Sequence, residues 1–479
     1  MLSKVPDKSS LWIFSGFGMI LISCILFGFS TGFYYIFILP PALIGAYIVY
    51  ADIKLMFYIL LACIPLSTEL FLPNGLATDV PTEPIMILLM MVYIFYAATN
   101  PKMISRKFLN HPLILLLLLH FIWIAVAAIF SAKPVISFKF LLAKTWYLVV
   151  FVFLTDLVLR EIRDLKKAMW LIFVPLCFVI IQTLLRHWQV GFHFDKVNQV
   201  VTPFFRNHVN YAAMISIMLP FVWFMRKWYK KGAWQRNALW LVTILFLFGI
   251  GFSYTRGAWL SVFAAGMFYL FIKFRTVRYV IPSGMLVIIL FLGFMIRNNQ
   301  YLEYSTDYKK TIYYDTLGDH LQATMQRLDV SSAERVYRWI AGFRMSTDEW
   351  ITGFGPGNFY NFYKSYTVNI FTTWVSDNQE KSGVHNYFLM TLIEQGIIGL
   401  ILFVSLYIAF LVMGERIYHN TRDPAEKYMV MAVLLSNIAI LVQIMLSDLI
   451  EVDKVGAIFF INIALLVRQD IKNKQHLAV

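Results

Sequence analysis

Long apolar runs separated by short polar connections occupy most of the chain. A bilayer core of about 30 Å requires roughly 20 apolar residues in one helix, and fourteen runs approach that length. This pattern predicts an all-α polytopic membrane protein with about 12–14 transmembrane helices. The predicted spans are residues 11–29, 33–50, 54–68, 84–98, 113–131, 139–159, 169–186, 209–225, 238–253, 257–273, 279–296, 386–413, 428–446 and 455–468.

The polar connections alternate in charge along the chain. Lys and Arg cluster in connections such as 226–236 and 468–474, whereas the connection 69–83 contains acidic residues and no basic one. Because positively charged loops remain on the cytoplasmic side of a membrane, the alternation predicts that both termini are cytoplasmic.

The composition supports the membrane prediction. Hydrophobic residues make up 59% of the 479 residues and charged residues only 14%. A soluble globular protein has roughly 45–50% apolar and about 25% charged residues, so a water-soluble enzyme is excluded. The net charge of +14 follows the cytoplasmic connections, so it reports topology and predicts no nucleic-acid partner. The three cysteines lie in apolar runs without a Cys-x-x-Cys spacing, and we expect no disulfide, metal or cofactor.

One connection, residues 297–385, is far longer than the others and falls on the predicted outer side. It divides the chain into N-terminal transmembrane helices (1–296), this outer loop, and C-terminal transmembrane helices with a short cytoplasmic tail (386–479). A structureless loop of this length would be uncommon, and long loops are often functional.

The outer loop contains a predicted amphipathic helix. Ser331 to Glu334 reads Ser-Ser-Ala-Glu, which fits a capping box and predicts a helix start. An apolar stripe at helical spacing follows, formed by Val336, Trp339, Ile340 and Phe343. We expect this helix to lie on the outer membrane–water boundary and to end at the glycine-rich turn 353–357.

Few acidic residues fall inside the predicted spans. They are Asp156 and Glu394, and a proton- or sodium-coupled transporter would usually bury more. This scarcity makes transport the less favoured interpretation.

Cationic and hydrogen-bonding residues collect at the predicted outer face instead. Arginine offers a fork of permanent donors suited to phosphate oxygens, and histidine exchanges protons near neutral pH. A simpler interpretation remains open for each residue, such as snorkelling for Arg206 and a solvated helix face for Arg338. The candidates are Arg206, Arg256, Arg335, Arg338, Trp339, His385 and Asn386.

The order of several motifs resembles the O-antigen ligase family over roughly residues 205–450. The motifs are Ser253-Tyr254-Thr255-Arg256-Gly257-Ala258-Trp259, Arg335 with Trp339, Gly353-Phe354-Gly355-Pro356-Gly357-Asn358-Phe359, His385-Asn386-Tyr387, and Glu394-Gln395-Gly396-Ile397-Ile398-Gly399-Leu400.

The resemblance implies a metal-independent glycosyltransferase with a membrane-embedded GT-C-type fold. Such enzymes move a glycan from undecaprenyl pyrophosphate to lipid A–core at the periplasmic face of a bacterial inner membrane, among membrane lipids. By motif match, Arg256 and Arg335 would hold the pyrophosphate, and His385 would act as a base or as a donor to the leaving group. Arg206, Arg338, Trp339 and Asn386 are the expected additional contacts to pyrophosphate or glycan.

Two alternatives remain open. An O-antigen or exopolysaccharide polymerase and a protein O-oligosaccharyltransferase would use the same donor with another acceptor. A lipid-linked sugar transporter or flippase would move the lipid and form no bond.

Overall fold

The computed structural model of the protein describes residues 8–32, 36–37, 39–71, 77–297, 299–300, 330–372, 376–378 and 381–477. Helices account for most of these residues, which confirms the predicted all-α polytopic membrane class. The longer helices are α1 (Lys8–Thr31), α2 (Leu39–Ala51), α3 (Ile53–Cys63), α4 (Thr82–Thr99), α5 (Pro112–Ile129), α6 (Pro134–Leu148), α7 (Ile162–Gln189), α8 (His208–Met225), α9 (Trp234–Gly251), α10 (Arg256–Lys273), α11 (Val277–Ile296), α12 (Val330–Asp348), α13 (Tyr387–Asn420), α14 (Pro424–Ile444) and α15 (Asp453–Leu477).

Short elements connect these helices. Two strands, β1 (Thr68–Phe71) and β2 (Ala77–Val80), pair antiparallel with Thr68 opposite Val80. One-turn α-helices cover Arg106–Leu109, Thr155–Val158, Val197–Val200 and Phe359–Phe362, and Val149–Leu154 is π-helical. The 3₁₀ turns are Ile64–Leu66, Pro101–Met103, Phe194–Lys196, Arg226–Trp228, Tyr363–Tyr366, Asn369–Phe371 and Leu449–Glu451.

Each of the fourteen predicted spans overlaps one of the long helices. Eight helices within the described residues are long and apolar enough to cross a membrane. α2 and α3 have 13 and 11 residues. They rise only about 20 and 16 Å at 1.5 Å per residue, so neither crosses a bilayer core alone. The helices α2 and α3 are therefore shorter than the predicted spans 33–50 and 54–68 that they overlap.

The core lies around α8 and α14. In α8 and α14, 72% and 78% of the membrane-spanning segment is buried inside the protein. In α11 only 6% is buried, so this helix faces outward. Gln443 of α14 joins three of the helices, because its Nε2 donates to Ser216 Oγ of α8 (3.1 Å) and to Ser261 Oγ of α10 (3.3 Å). Such hydrogen bonds between helices hold a bundle together where the surrounding lipid is apolar.

The amphipathic helix of the outer loop is present as α12, with a different start and a different packed face. The helix already includes Ser331, so the predicted capping box is wrong. The buried positions are Ala333, Glu334, Tyr337, Arg338, Ala341 and Met345, whereas Phe343 of the predicted stripe is exposed. An ideal Cβ at Gly342 would meet Ile393 and Leu389, so this face of α12 packs directly on α13.

The glycine-rich turn after α12 fits into a break in α13. Gly396 has φ +67°, and an added Cβ there would overlap the backbone of Ile351. The N–H groups of Phe354 and Gly355 donate to the carbonyls of Ile393 and Glu394 (2.9 and 3.1 Å). Gly353, Gly355 and Gly357 have φ of +69°, +93° and +80°, a region that glycine adopts without strain. The turn therefore anchors the segment after α12 to the membrane helices.

Candidate functional site

Arg338 and His385 form the centre of a polar cluster at one end of the helix bundle. Arg338 lies on the packed face of α12 and is only 5% exposed. Its Nη1 lies 2.7 Å from His385 Nε2 and donates a second hydrogen bond to the carbonyl of Gly383 (3.2 Å). The interpretation of Arg338 as a solvated helix face is therefore wrong.

Glu334 holds the guanidinium of Arg338, and Ser376 in turn holds Glu334. Glu334, one turn earlier on α12, accepts from Arg338 Nη2 at 3.3 Å. The other carboxylate oxygen of Glu334 accepts from Ser376 Oγ at 2.6 Å. A buried charge requires a partner, and this chain of contacts supplies one while it fixes the direction of the guanidinium.

The electrostatics of the cluster keep the His385 imidazole neutral. Burial, followed by the positive charges of Arg338 and Arg335, lowers the pKa of His385 from its ordinary 6.5 to about 3. In this geometry Arg338 donates to Nε2, so Nδ1 carries the proton of the neutral ring. The charge of Arg335 therefore acts on the His385 imidazole in addition to that of Arg338, its hydrogen-bond partner.

The segment that follows α14 supports the chain around His385. Asp448 Oδ2 accepts the backbone N–H of His385 (3.1 Å), and the carbonyl of Met445 accepts from Asn386 Nδ2 (3.2 Å). Asn386 also caps α13, since its side chain accepts from the N–H of Leu389 at 3.0 Å. Asn386 therefore has a structural role in addition to its predicted role as a ligand contact.

The segment after α14 also lies beside the predicted Arg256 site. Arg256 is the first residue of α10 and is partly buried. An ideal Cβ at the neighbouring Gly257 would lie 3.3 Å from Leu446 Cδ1. Leu446 stands next to Met445, which contacts Asn386. The structure therefore brings the start of α10 and the His385 segment to the same end of the bundle.

Arg206 is exposed in the loop before α8, at the edge of this region. In the turn before Arg256, Thr255 Oγ1 donates to the carbonyl of His208 (3.3 Å), two positions after Arg206. Tyr254, in the same turn, has φ +55° and donates to the carbonyl of Phe192 at 2.6 Å. Arg206 is thus more exposed than Arg256, Arg335 and Arg338.

Arg335 and Trp339 are partly buried on α12, one turn apart. Within the described part of the chain, Trp339 Nε1 and Asp448 Oδ1 are buried without a hydrogen-bond partner. A buried polar atom without a partner costs free energy unless a ligand or water satisfies it. Each of these two atoms can still form a hydrogen bond to a ligand or to an ordered water.

Sequence reasoning missed three residues of this cluster. Glu334 stands four residues before Arg338, a spacing that predicts an ion pair on a helix. Asp448 follows directly after a predicted span, but nothing in the sequence connects it to His385. Ser376 had no sequence signal. No group of three or more His, Cys, Asp or Glu that could hold a metal ion occurs among the residues described.

Fold and site together define a polytopic membrane protein with an arginine-rich polar site at one end of its helix bundle. Residues 241–404 match the family model described as O-antigen ligase. Over these residues the match confirms the resemblance to this family that the motifs predicted. The match supports a ligase- or polymerase-type transferase that acts on lipid-linked glycans in the membrane. No curated protein matches the chain.

The matched segment contains most of the candidate site. Arg256, Arg335, Arg338 and His385 lie within it, whereas Arg206 and Asp448 lie outside it. The roles of the individual residues stay predictions that rest on geometry and chemistry.

Proposed function

We propose that the protein is an O-antigen ligase-type glycosyltransferase. It moves a glycan from undecaprenyl pyrophosphate to lipid A–core at the periplasmic face of the inner membrane. The observation that carries the proposal is the buried Arg338–His385 pair, with Arg335 close enough to affect the imidazole. Clustered guanidinium groups next to a neutral histidine suit a reaction that releases pyrophosphate and deprotonates a hydroxyl.

The arginines supply the electrostatic part of the proposed reaction. The bond between the anomeric carbon and the pyrophosphate oxygen breaks, and negative charge develops on that oxygen. Arg335 and Arg256 stabilise this charge, which is the largest task because pyrophosphate is already a good leaving group. The reaction needs no metal ion if the arginines balance the charge.

His385 supplies the proton-transfer part. In the structure its Nε2 lone pair is occupied by Arg338. A bound pyrophosphate competes for the same guanidinium, since phosphate oxygens accept stronger hydrogen bonds than a neutral imidazole does. We propose that donor binding thereby releases Nε2, which then accepts the proton of the acceptor hydroxyl as this oxygen bonds to the anomeric carbon.

Reconstitution in detergent tests the proposal. Purified protein is mixed with undecaprenyl-pyrophosphate-linked glycan and lipid A–core, and glycan attached to lipid A–core is measured. We expect product from the wild type, and a strong loss in Arg256→Ala, Arg335→Ala and His385→Ala. His193→Ala, which removes an exposed histidine, is the matched control.

Other acceptors identify the alternatives. Product formed only with a second glycan would indicate a polymerase, and product formed only with a Ser/Thr peptide would indicate a protein O-oligosaccharyltransferase. No product with any acceptor, from protein that moves the lipid-linked glycan across vesicles, would contradict the proposal in favour of a flippase.

A further inference from the structure

Three consecutive residues at the start of α13 contact one short segment, residues 445–451, which we call the holding turn. The His385 N–H donates to Asp448 Oδ2 (3.1 Å), and Asn386 Nδ2 donates to the Met445 carbonyl (3.2 Å). The third contact runs from Tyr387 OH to Glu451 Oε1 at 2.7 Å. The holding turn therefore contacts the histidine and both residues that follow it.

His385 needs such support because its backbone is strained. It has φ +58°, in the left-handed region that residues with a Cβ rarely adopt. A strained conformation persists only where the surrounding structure fixes it, and it is common at functional sites. The approach of the two segments is also close, since an added Cβ at Gly383 would overlap Asp448 Oδ2.

Lys144 of α6 balances the charge of Glu451. Its Nζ lies 2.8 Å from Glu451 Oε1, the same oxygen that accepts from Tyr387. Lys144 is 6% exposed, and its ammonium group also lies over the rings of Phe140 and Tyr387 (5.3 and 5.9 Å).

The surroundings of this ion pair are apolar. Lys144 and Tyr387 line a crevice of about 400 Å³, including its open space, with Phe403, Phe459 and Phe460 among the other lining residues. The Glu451 side chain is 27% exposed, so removal of Lys144 leaves a partly buried carboxylate without its charge partner. Glu451 therefore depends on Lys144 to stay in place beneath Tyr387.

We propose that Lys144 and Glu451 are positioning residues for His385, because they fix the holding turn and Tyr387 on either side of the histidine. The proposal rests on the proposed function of His385 in transfer. Neither Lys144 nor Glu451 touches the reacting atoms, so both act on the reaction through His385. Their effect is to keep the imidazole within reach of Arg338.

The test compares Lys144→Met, Glu451→Gln and the double variant in the detergent transfer assay, normalised to folded protein. A displacement of about 1 Å at the reacting group lowers a rate by about 100-fold, so we expect a loss of that size in kcat for Lys144→Met. KM for the donor should change little, because Arg335 and Arg256 are intact. The double variant should recover part of the loss, since Gln at 451 still accepts from Tyr387 and carries no unpaired charge.

Lys139→Met is the matched control, because Lys139 lies on the same helix and is exposed. The pH profile of kcat/KM separates positioning from simple destabilisation. A displaced imidazole leaves its buried, cationic surroundings, so its pKa rises toward 6.5 and activity is lost below that pH. The wild type and Lys139→Met should show no such limb from His385, whose pKa is about 3.

Modification of His385 by diethyl pyrocarbonate, measured by mass spectrometry, gives a readout that does not depend on activity. We expect faster modification in Lys144→Met than in the wild type. Wild-type kcat, pH profile and modification rate in Lys144→Met would overturn the positioning proposal, even if His385→Ala is inactive. An active His385→Ala would instead overturn the proposed function, and the modification rate would still decide whether Lys144 positions His385.

Discussion

Two buried polar clusters lie close to the start of α13. They differ in how many of their buried polar atoms have hydrogen-bond partners within the protein. In the first cluster, the Glu394 carboxyl oxygens accept the N–H groups of Gly357 (2.7 Å) and Phe359 (3.0 Å). In the second cluster, around Arg338 and His385, two arginine charges act on one neutral histidine.

The first cluster is a scaffold, and the second has the properties of a binding site. Glu394 has its hydrogen-bond partners inside the protein, and the glycine turn that it holds has no space for a side chain. Near His385, by contrast, Trp339 Nε1 and Asp448 Oδ1 have no hydrogen-bond partner among the described residues. Buried polar atoms without partners can accept or donate further hydrogen bonds, whereas the oxygens of Glu394 already have partners within the protein. Glu394 and His385 thus differ in how fully their surroundings satisfy their polar atoms.

Removal of His385 should produce the largest effect. His385→Ala is expected to lower kcat by about 10²–10⁴-fold, because general base catalysis contributes about that much. The measurement is glycan transfer by purified protein, with His193→Ala as control. Transfer at the wild-type rate would show that His385 has no catalytic role.

Glu394→Ala should destabilise the protein and leave the chemistry of the folded fraction intact. Two hydrogen bonds to a buried carboxyl group are lost, so we expect a decrease of about 2–3 kcal/mol in stability. Thermal unfolding in detergent measures it, with the exposed Glu349→Ala as control. Unchanged stability together with lost transfer would place Glu394 in the reactive site instead of the scaffold.

Arg256→Ala should both slow the chemical step and weaken donor binding, because the proposed contact to the pyrophosphate forms in the bound donor and strengthens as the leaving oxygen gains charge. Loss of one charge-assisted contact at a partly exposed position predicts an increase of about tenfold in KM for the lipid-linked donor. Lys273→Ala, at the other end of α10, is the control. If KM stays constant in Arg256→Ala, the pyrophosphate does not reach the start of α10.

Asp448→Asn should change stability in a pH-dependent way. Burial raises the pKa of Asp448 to about 6, above the value of about 3.9 in an unfolded chain. The carboxyl group therefore favours the folded state below about pH 4, and this contribution is lost as the pH rises through 6. Asn cannot ionise and can still accept the His385 N–H.

The stability of Asp448→Asn relative to the wild type should consequently rise between pH 4 and pH 7. Unfolding midpoints in detergent at several pH values measure this difference. A difference that is constant over this range would mean that burial does not raise the pKa of Asp448 in the folded protein.

The pattern of apolar runs predicted the helices well, because each membrane helix must satisfy its own backbone hydrogen bonds. It also separated α2 from α3, because Asp52 interrupts the apolar sequence and its side chain caps α3 through the N–H of Leu55. It could not show that both helices are too short to cross a bilayer core alone. The start of α12 was also misplaced. Glu334 matches a capping box in sequence, but its carboxylate binds Arg338 and Ser376 instead.

The sequence predicted which types of residue form the site, but it predicted only part of how these residues are arranged in space. Motif order identified Arg335 and His385, yet Arg338 looked equally compatible with a solvated face. Its burial depends on how α12 packs on α13, which follows from contacts distant in sequence. The contact between Asp448 and His385 spans 63 positions and has no local signal.

The central claim is that the cluster around His385 holds the pyrophosphate of a lipid-linked glycan. The direct test is the Kd of undecaprenyl-pyrophosphate-linked glycan for purified wild type, Arg338→Gln and the exposed control Lys139→Met. We predict that Kd rises about tenfold or more in Arg338→Gln and is unchanged in the control. Equal Kd values for wild type and Arg338→Gln, with both proteins folded, would contradict the account.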